Sequence, residues 1–145
     1  MAVEIRVDYA GELRCRAVHG PSGVELVTDA PVDNHGRGES FSPTDLVATA
    51  LGACLLTVMG IVAARRGVDL RGATARVEKH MVAEPDRRIG RLPVRIVIPA
   101  AVSPDDRVVL ERTAYRCPVL NSLDPRVRKE ITFVWGGADD GASGP

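Results

Sequence analysis

Two cysteines carry the chemistry most readily read from this chain. Cys54 lies within the uncharged run Leu46 to Ala64, and Cys117 stands directly before Pro118. The thiolate, not the thiol, is the nucleophile, so each cysteine reacts only as far as its surroundings favour ionisation. Ahead of Pro118, Cys117 takes the N-cap position of a short helix, where free amide hydrogens and the helix dipole would stabilise a thiolate. In mid-helix the amides are already bonded, so Cys54 needs a nearby cation instead. Arg14 and Arg16, from an upstream strand, are the candidates. Without such help Cys54 is a buried small hydrophobe, and the two arginines are solvated strand charges. The pair becomes a redox couple only if the fold brings the sulfurs together.

The remaining groups point elsewhere less strongly. Cys15 and His19 are four apart on a strand, hence about 13 Å from one another and unable to share a metal. Together with His35, His80 and the other cysteines they show no CxxC or HxxxH spacing, so no metal is expected. Cys15 reads as a strand core residue. Gly36 and Gly38 form a flexible loop and not a phosphate cradle, since no GK[ST] follows.

Bulk properties exclude further classes. The 145 residues carry 19 basic and 19 acidic side chains, a net charge of zero, and five aromatics. Neither the field nor the stacking surface expected for nucleic acid is present. The length fits one domain, 1–136, with 137–145 as a disordered tail. Three cysteines, and a start, MAVEIRVDY, without signal-peptide pattern, lead to the expectation of a cytoplasmic protein with free thiols.

Several elements must position the thiols. Val3, Ile5 and Val7 alternate with charged residues, as do Leu13, Cys15 and Ala17, with Ala10-Gly11 as the turn; Val24 to Thr28 completes a meander. A loop from Asp29 to Phe41 leads to Ser42-Pro43-Thr44-Asp45, a helix start with Ser42 as N-cap and Asp45 as capping-box acid. The helix should run to about Arg66 before Gly67. Beyond it the pattern predicts a long strand Val68 to Val82, a strand through Val94, Ile96 and Ile98, and a helix from Ser103 to Arg116. A short helix Pro118 to Leu123 and a strand Ile131 to Trp135 follow. Strands, helix, strands, helix, strand make an α+β fold.

The first helix has a consequence for assembly. Its 19 uncharged residues reach membrane-spanning length, but they are rich in Ala, Gly and Thr between amphipathic strands, so a soluble helix and no membrane are expected. About 24 residues make roughly 36 Å, and a helix apolar all round must be covered on every side. A small sheet covers one side. The expectation is an obligate homodimer in which the helix packs on its copy, with Gly52 and Gly60 allowing close approach.

The run SPTDLVATALGAC ending at Cys54, the CPV at Cys117, the upstream YAGELR and the terminal ITFVW resemble the OsmC/Ohr family of organic hydroperoxide reductases. The resemblance covers about Val3 to Trp135. It implies an intertwined homodimer, two antiparallel sheets around two long central helices, with active sites at the subunit interface. It implies a thiol-dependent peroxidase in which Cys54 reduces an organic hydroperoxide and becomes a sulfenic acid. Cys117 then resolves it to a disulfide, which a dithiol such as a lipoylated protein reduces. No cofactor is implied, because sulfur carries both steps. Where well-studied relatives carry a glutamate ten residues before the reactive cysteine, this chain has Thr44; Asp45 is the nearest acid. Arg14 matches the activating arginine after a small shift, with Arg37 of the loop as the alternative. The same resemblance admits a noncatalytic OsmC-like protein that binds a small apolar ligand at the dimer interface.

Overall fold

The structure, a computed structural model, describes residues 1–136; the expected tail at 137–145 lies outside the described residues. Internal packing divides the chain into two compact units, Met1–Val47 and the chain from Ala48 on.

The first unit is an antiparallel meander of β1 (Ile5–Gly11), β2 (Arg14–His19) and β3 (Glu25–Asp29), followed by a 3-10 turn at Val32–Asn34. The β1–β2 turn is not at Ala10-Gly11. It consists of Glu12 and Leu13, at φ 53° and 64°, the backbone of a type I′ turn filled by residues that disfavour it. A register shift between Tyr9 and Gly11 moves the turn along the chain. Alternation then sorts the faces. Val7, Ala17 and Leu26 stand in one cross-strand row and Tyr9, Cys15 and Thr28 in the next, so Cys15 belongs to the apolar side and is half-buried. On that side Ile5, Val7, Tyr9 and Leu26 are exposed. The opposite face carries charge in pairs, Arg6 with Asp8, Arg16 with Glu25 and Arg14 with Asp29.

α1 spans Pro43–Arg65 and starts as its sequence predicts. The Ser42 amide donates to Asp45 Oδ2 (2.8 Å) and the Asp45 amide donates to Ser42 Oγ (3.1 Å), a reciprocal capping box. At its far end Gly67, at φ 69°, takes the left-handed conformation that closes a helix.

From Ala48 on, one stripe of α1 is buried: Ala48, Leu51, Leu55, Met59 and Ala63, at the three- and four-residue spacing of a single helix face. They join Leu92, Val94, Ile96 and Ile98 of β6 (Arg88–Ile98) in the core. Each fully buried Leu or Met contributes about 1.5–3 kcal/mol. Gly52 permits the approach, since a Cβ there would come within 3.0 Å of Val77 and 3.6 Å of Ala75, whereas a Cβ on Gly60 would meet open space. The close contact expected of Gly52 with a second helix is therefore made with β4 (Thr74–Val77).

β6 organises the second sheet. β4 pairs with Val94–Val97 and β5 (His80–Val82) with Arg88–Arg91, both antiparallel, and β7 (Arg128–Trp135) runs parallel to Arg91–Ile98. The sheet is thus mixed, a correction to the expected pair of antiparallel sheets. The chain between β6 and β7, containing α2 (Pro104–Ala114) and α3 (Pro118–Ser122), is long enough for the crossover that parallel pairing requires. The single strand expected from Val68 to Val82 is likewise broken. Val68 to Ala73 form the helix exit and a turn, and β4 and β5 pair with successive parts of β6. α2 is capped by Ser103, whose Oγ accepts from the Asp106 amide at 3.2 Å. It buries Leu110 and Ala114, and its Glu111 accepts from Trp135 Nε1 of β7 at 3.2 Å.

Candidate active site

The fold brings the two thiols together. Cys54 sits on α1 in the turn that also buries Leu51 and Leu55, and is half-buried. Cys117 is the N-cap of α3 and fully buried, in the core cluster that contains Leu110 and Ala114. The helices α2 and α3 meet there because the Tyr115 amide closes α2 on Thr113 and Pro118 then opens α3 at its first position. Cys54 is near enough to Cys117 to act on its ionisation, and both are free cysteines.

The electrostatics of Cys117 differ from the sequence expectation. It occupies the N-cap as expected, and the Leu120 amide donates to its Sγ at 3.4 Å. Burial nevertheless outweighs this donor. Desolvation first, then the hydrogen bond and charge of Cys54, push the Cys117 thiol up from its ordinary range, while the Leu120 and Val119 amides pull the other way. The Leu120 amide holds the sulfur at the cap, while burial sets the direction in which its ionisation moves.

The arginine candidates all lie in the first unit. Arg14 Nε donates to Asp29 Oδ1 (2.7 Å) and an Nη to Asp29 Oδ2 (2.8 Å), a bidentate fork. The same nitrogen also reaches Glu39 Oε1 at 3.4 Å, and the Glu39 amide donates to Asp29 Oδ2 at 3.2 Å. Asp29 is fully buried. The Arg14 hydrogen bond holds the Asp29 carboxyl below the usual range, against the opposing effect of burial. Asp29 is a candidate that the sequence reading missed: the acid holding Arg14 lies directly across the strand pair, in register Arg14↔Asp29. An acidic residue ending β3 opposite the first residue of β2 was the available signal, but it becomes legible only once the register is known. Arg16 is engaged with Glu25 and Arg37 with Glu12. Asp45 serves the capping box, and the Thr44 hydroxyl lies 3.2 Å from Ser42 Oγ.

Among the described residues no group of three or more His, Cys, Asp or Glu gathers as a metal site would need. α1 is long and apolar enough to cross a membrane by length and composition, with mean hydropathy 2.3, and one of its faces forms the core described above.

Comparison with known proteins agrees with this architecture. A crystal structure of a Psychrobacter arcticus 273-4 protein, provisionally named for an osmotic stress induced and detoxification response, superposes with TM-score 0.85 at 41% identity, covering 89% of this chain and 93% of its own. The organic hydroperoxide resistance protein OsmC of Legionella pneumophila shares the fold at TM-score 0.71 and 17% identity, over 92% of this chain and 97% of its own. A provisionally named organic hydroperoxide resistance protein of Vibrio cholerae does so at 0.68 and 20%, over 95% and 93%. No curated protein sequence matches the chain. The family model described as OsmC-like protein matches residues 36–132, a stretch that holds α1, Cys54 and Cys117, and the chain belongs to the OsmC-like family.

Proposed function

We propose that the protein is a thiol-dependent peroxidase that reduces organic hydroperoxides. The observation that carries this reading is the proximity of Cys54, half-buried on α1, to the fully buried Cys117 thiol, whose ionisation it influences. The Cys54 thiolate attacks the distal peroxide oxygen, the O–O bond breaks, and the alkoxide leaves to take up a proton, with Cys54 becoming a sulfenic acid. The Cys117 thiol then displaces water from that sulfenic acid and closes the disulfide. A dithiol, such as a lipoyl group on a protein, restores both thiols. The uncharged run of α1 around Cys54 suits an organic peroxide. The arginine this reading puts forward as activator is Arg14, which Asp29 holds in place. Asp45 keeps the helix start in place.

The reading includes a cytoplasmic homodimer. The apolar face of the β1–β3 sheet is exposed at Ile5, Val7, Tyr9 and Leu26, and α1 exposes a second stripe through Ala50, Ala53, Thr57 and Ile61. Surfaces of this kind favour a second copy. Sedimentation of the protein at micromolar concentration is expected to give twice the chain mass; a monomer would contradict the dimer.

The activity is tested by dithiol-coupled consumption of cumene hydroperoxide. Cys54→Ser is expected to reduce turnover to background, and a Cys54→Ser protein that still consumed peroxide would refute the nucleophile. Thr44, in place of the expected glutamate, favours the second reading, a noncatalytic OsmC-like protein with a small apolar ligand at the dimer interface. Unaltered thiols after peroxide treatment would select it.

A further inference from the structure

Given the peroxidase reading, the unequal exposure of the two sulfurs decides how the disulfide is opened. A disulfide is reduced by in-line attack of a thiolate on one sulfur while the other leaves, and access decides which is attacked. Cys117 has no accessible surface; it is enclosed in the core with Leu110 and Ala114, and the first turn of α3 folds over its sulfur through the Leu120 amide. Cys54 is half-buried on α1 and keeps accessible surface where Cys117 has none. We infer that the reductant attacks the Cys54 sulfur alone, so that the transient mixed disulfide forms on Cys54 and Cys117 is always the leaving thiol.

In this step the Cys54–Cys117 bond breaks, a bond forms between the reductant's sulfur and Cys54, and the electron pair passes to Cys117, which takes up a proton. The second thiol of the reductant then attacks its own sulfur in the mixed disulfide. Cys54 leaves as thiolate, and the reductant departs as an intramolecular disulfide, having supplied two electrons. Cys117 therefore never meets the reductant. Its S–H stays in place beside Cys54 for the next sulfenic acid.

The test forms the disulfide with diamide, so the step can be followed even in a protein inactive toward hydroperoxides. The oxidised protein is treated with 2-mercaptoethanol, a monothiol that stops at the mixed disulfide, then acid-quenched, alkylated with N-ethylmaleimide and peptide-mapped. The expected result is the mercaptoethanol adduct on Cys54 and alkylation on Cys117. An adduct on Cys117, or an even division, overturns the inference. If diamide leaves the thiols reduced, labelling of single thiols by dithiobis(nitrobenzoate) decides, with Cys15→Ser combined with Cys54→Ser or with Cys117→Ser. Cys54 should react on the order of tenfold faster than Cys117 in the folded protein and equally fast in urea. Equal rates in the folded protein, or a ratio that persists in urea, would overturn it.

Discussion

The thiol pair and the arginine clamp are built by opposite means. Cys54 and Cys117 meet in a core held by apolar side chains, where Leu51, Leu55, Met59 and Leu110 have no exposed surface. Burial there pushes the Cys117 thiol up. Arg14 is instead fixed on the charged face of a small sheet by two directional bonds from its guanidinium to Asp29, whose Oδ2 also accepts from the Glu39 amide. One region positions its chemistry by packing, which tolerates little change in volume. The other uses charge, which responds to pH. Perturbations that separate these two mechanisms test the distinction.

The largest effect is expected in the packed region. Leu55→Ala, one residue from Cys54 and fully buried, should cost about 2–5 kcal/mol in urea denaturation; a loss below about 1 kcal/mol would mean that the α1 stripe is not the core described here. The charged region should respond less, and in a pH-dependent way. The Asp29 carboxyl ionises below its unfolded value because of Arg14, so its contribution to stability is present above the unfolded pKa of about 3.9 and is lost as pH falls through the lower folded value. Asp29→Asn should therefore be less stable than the parent at pH 7, with the gap narrowing below about pH 4. A gap independent of pH from 7 to 2 would show that Asp29 acts by shape and not by charge.

What the sequence disclosed follows the same division. α1 was legible from its cap to its last turn because Ser42, Pro43, Asp45 and Gly67 are local signals and the apolar run is long. The element order and the strand through Val94 to Ile98 were legible for the same reason, as were the two cysteines as a unit once the family resemblance supplied their pairing. Features that depend on long-range partners were not. The role of Asp29 depends on the β2–β3 register, the break between β4 and β5 on how β6 divides its edge, and the parallel course of β7 on a crossover that alternation does not encode. The Glu12-Leu13 turn was hidden because its residues lack the usual turn chemistry. The Cys117 cap was legible as a position and its amides pull as expected, but the net direction was not legible, since burial, which sets it, is a tertiary property.

The central claim is that peroxide oxidises Cys54 and that Cys117 captures the product. Its most direct test is anaerobic reduction, addition of one equivalent of cumene hydroperoxide, and intact mass with peptide mapping. The account predicts loss of two hydrogens and a Cys54–Cys117 crosslink, with Cys15 left as a thiol; both thiols surviving unchanged would contradict it.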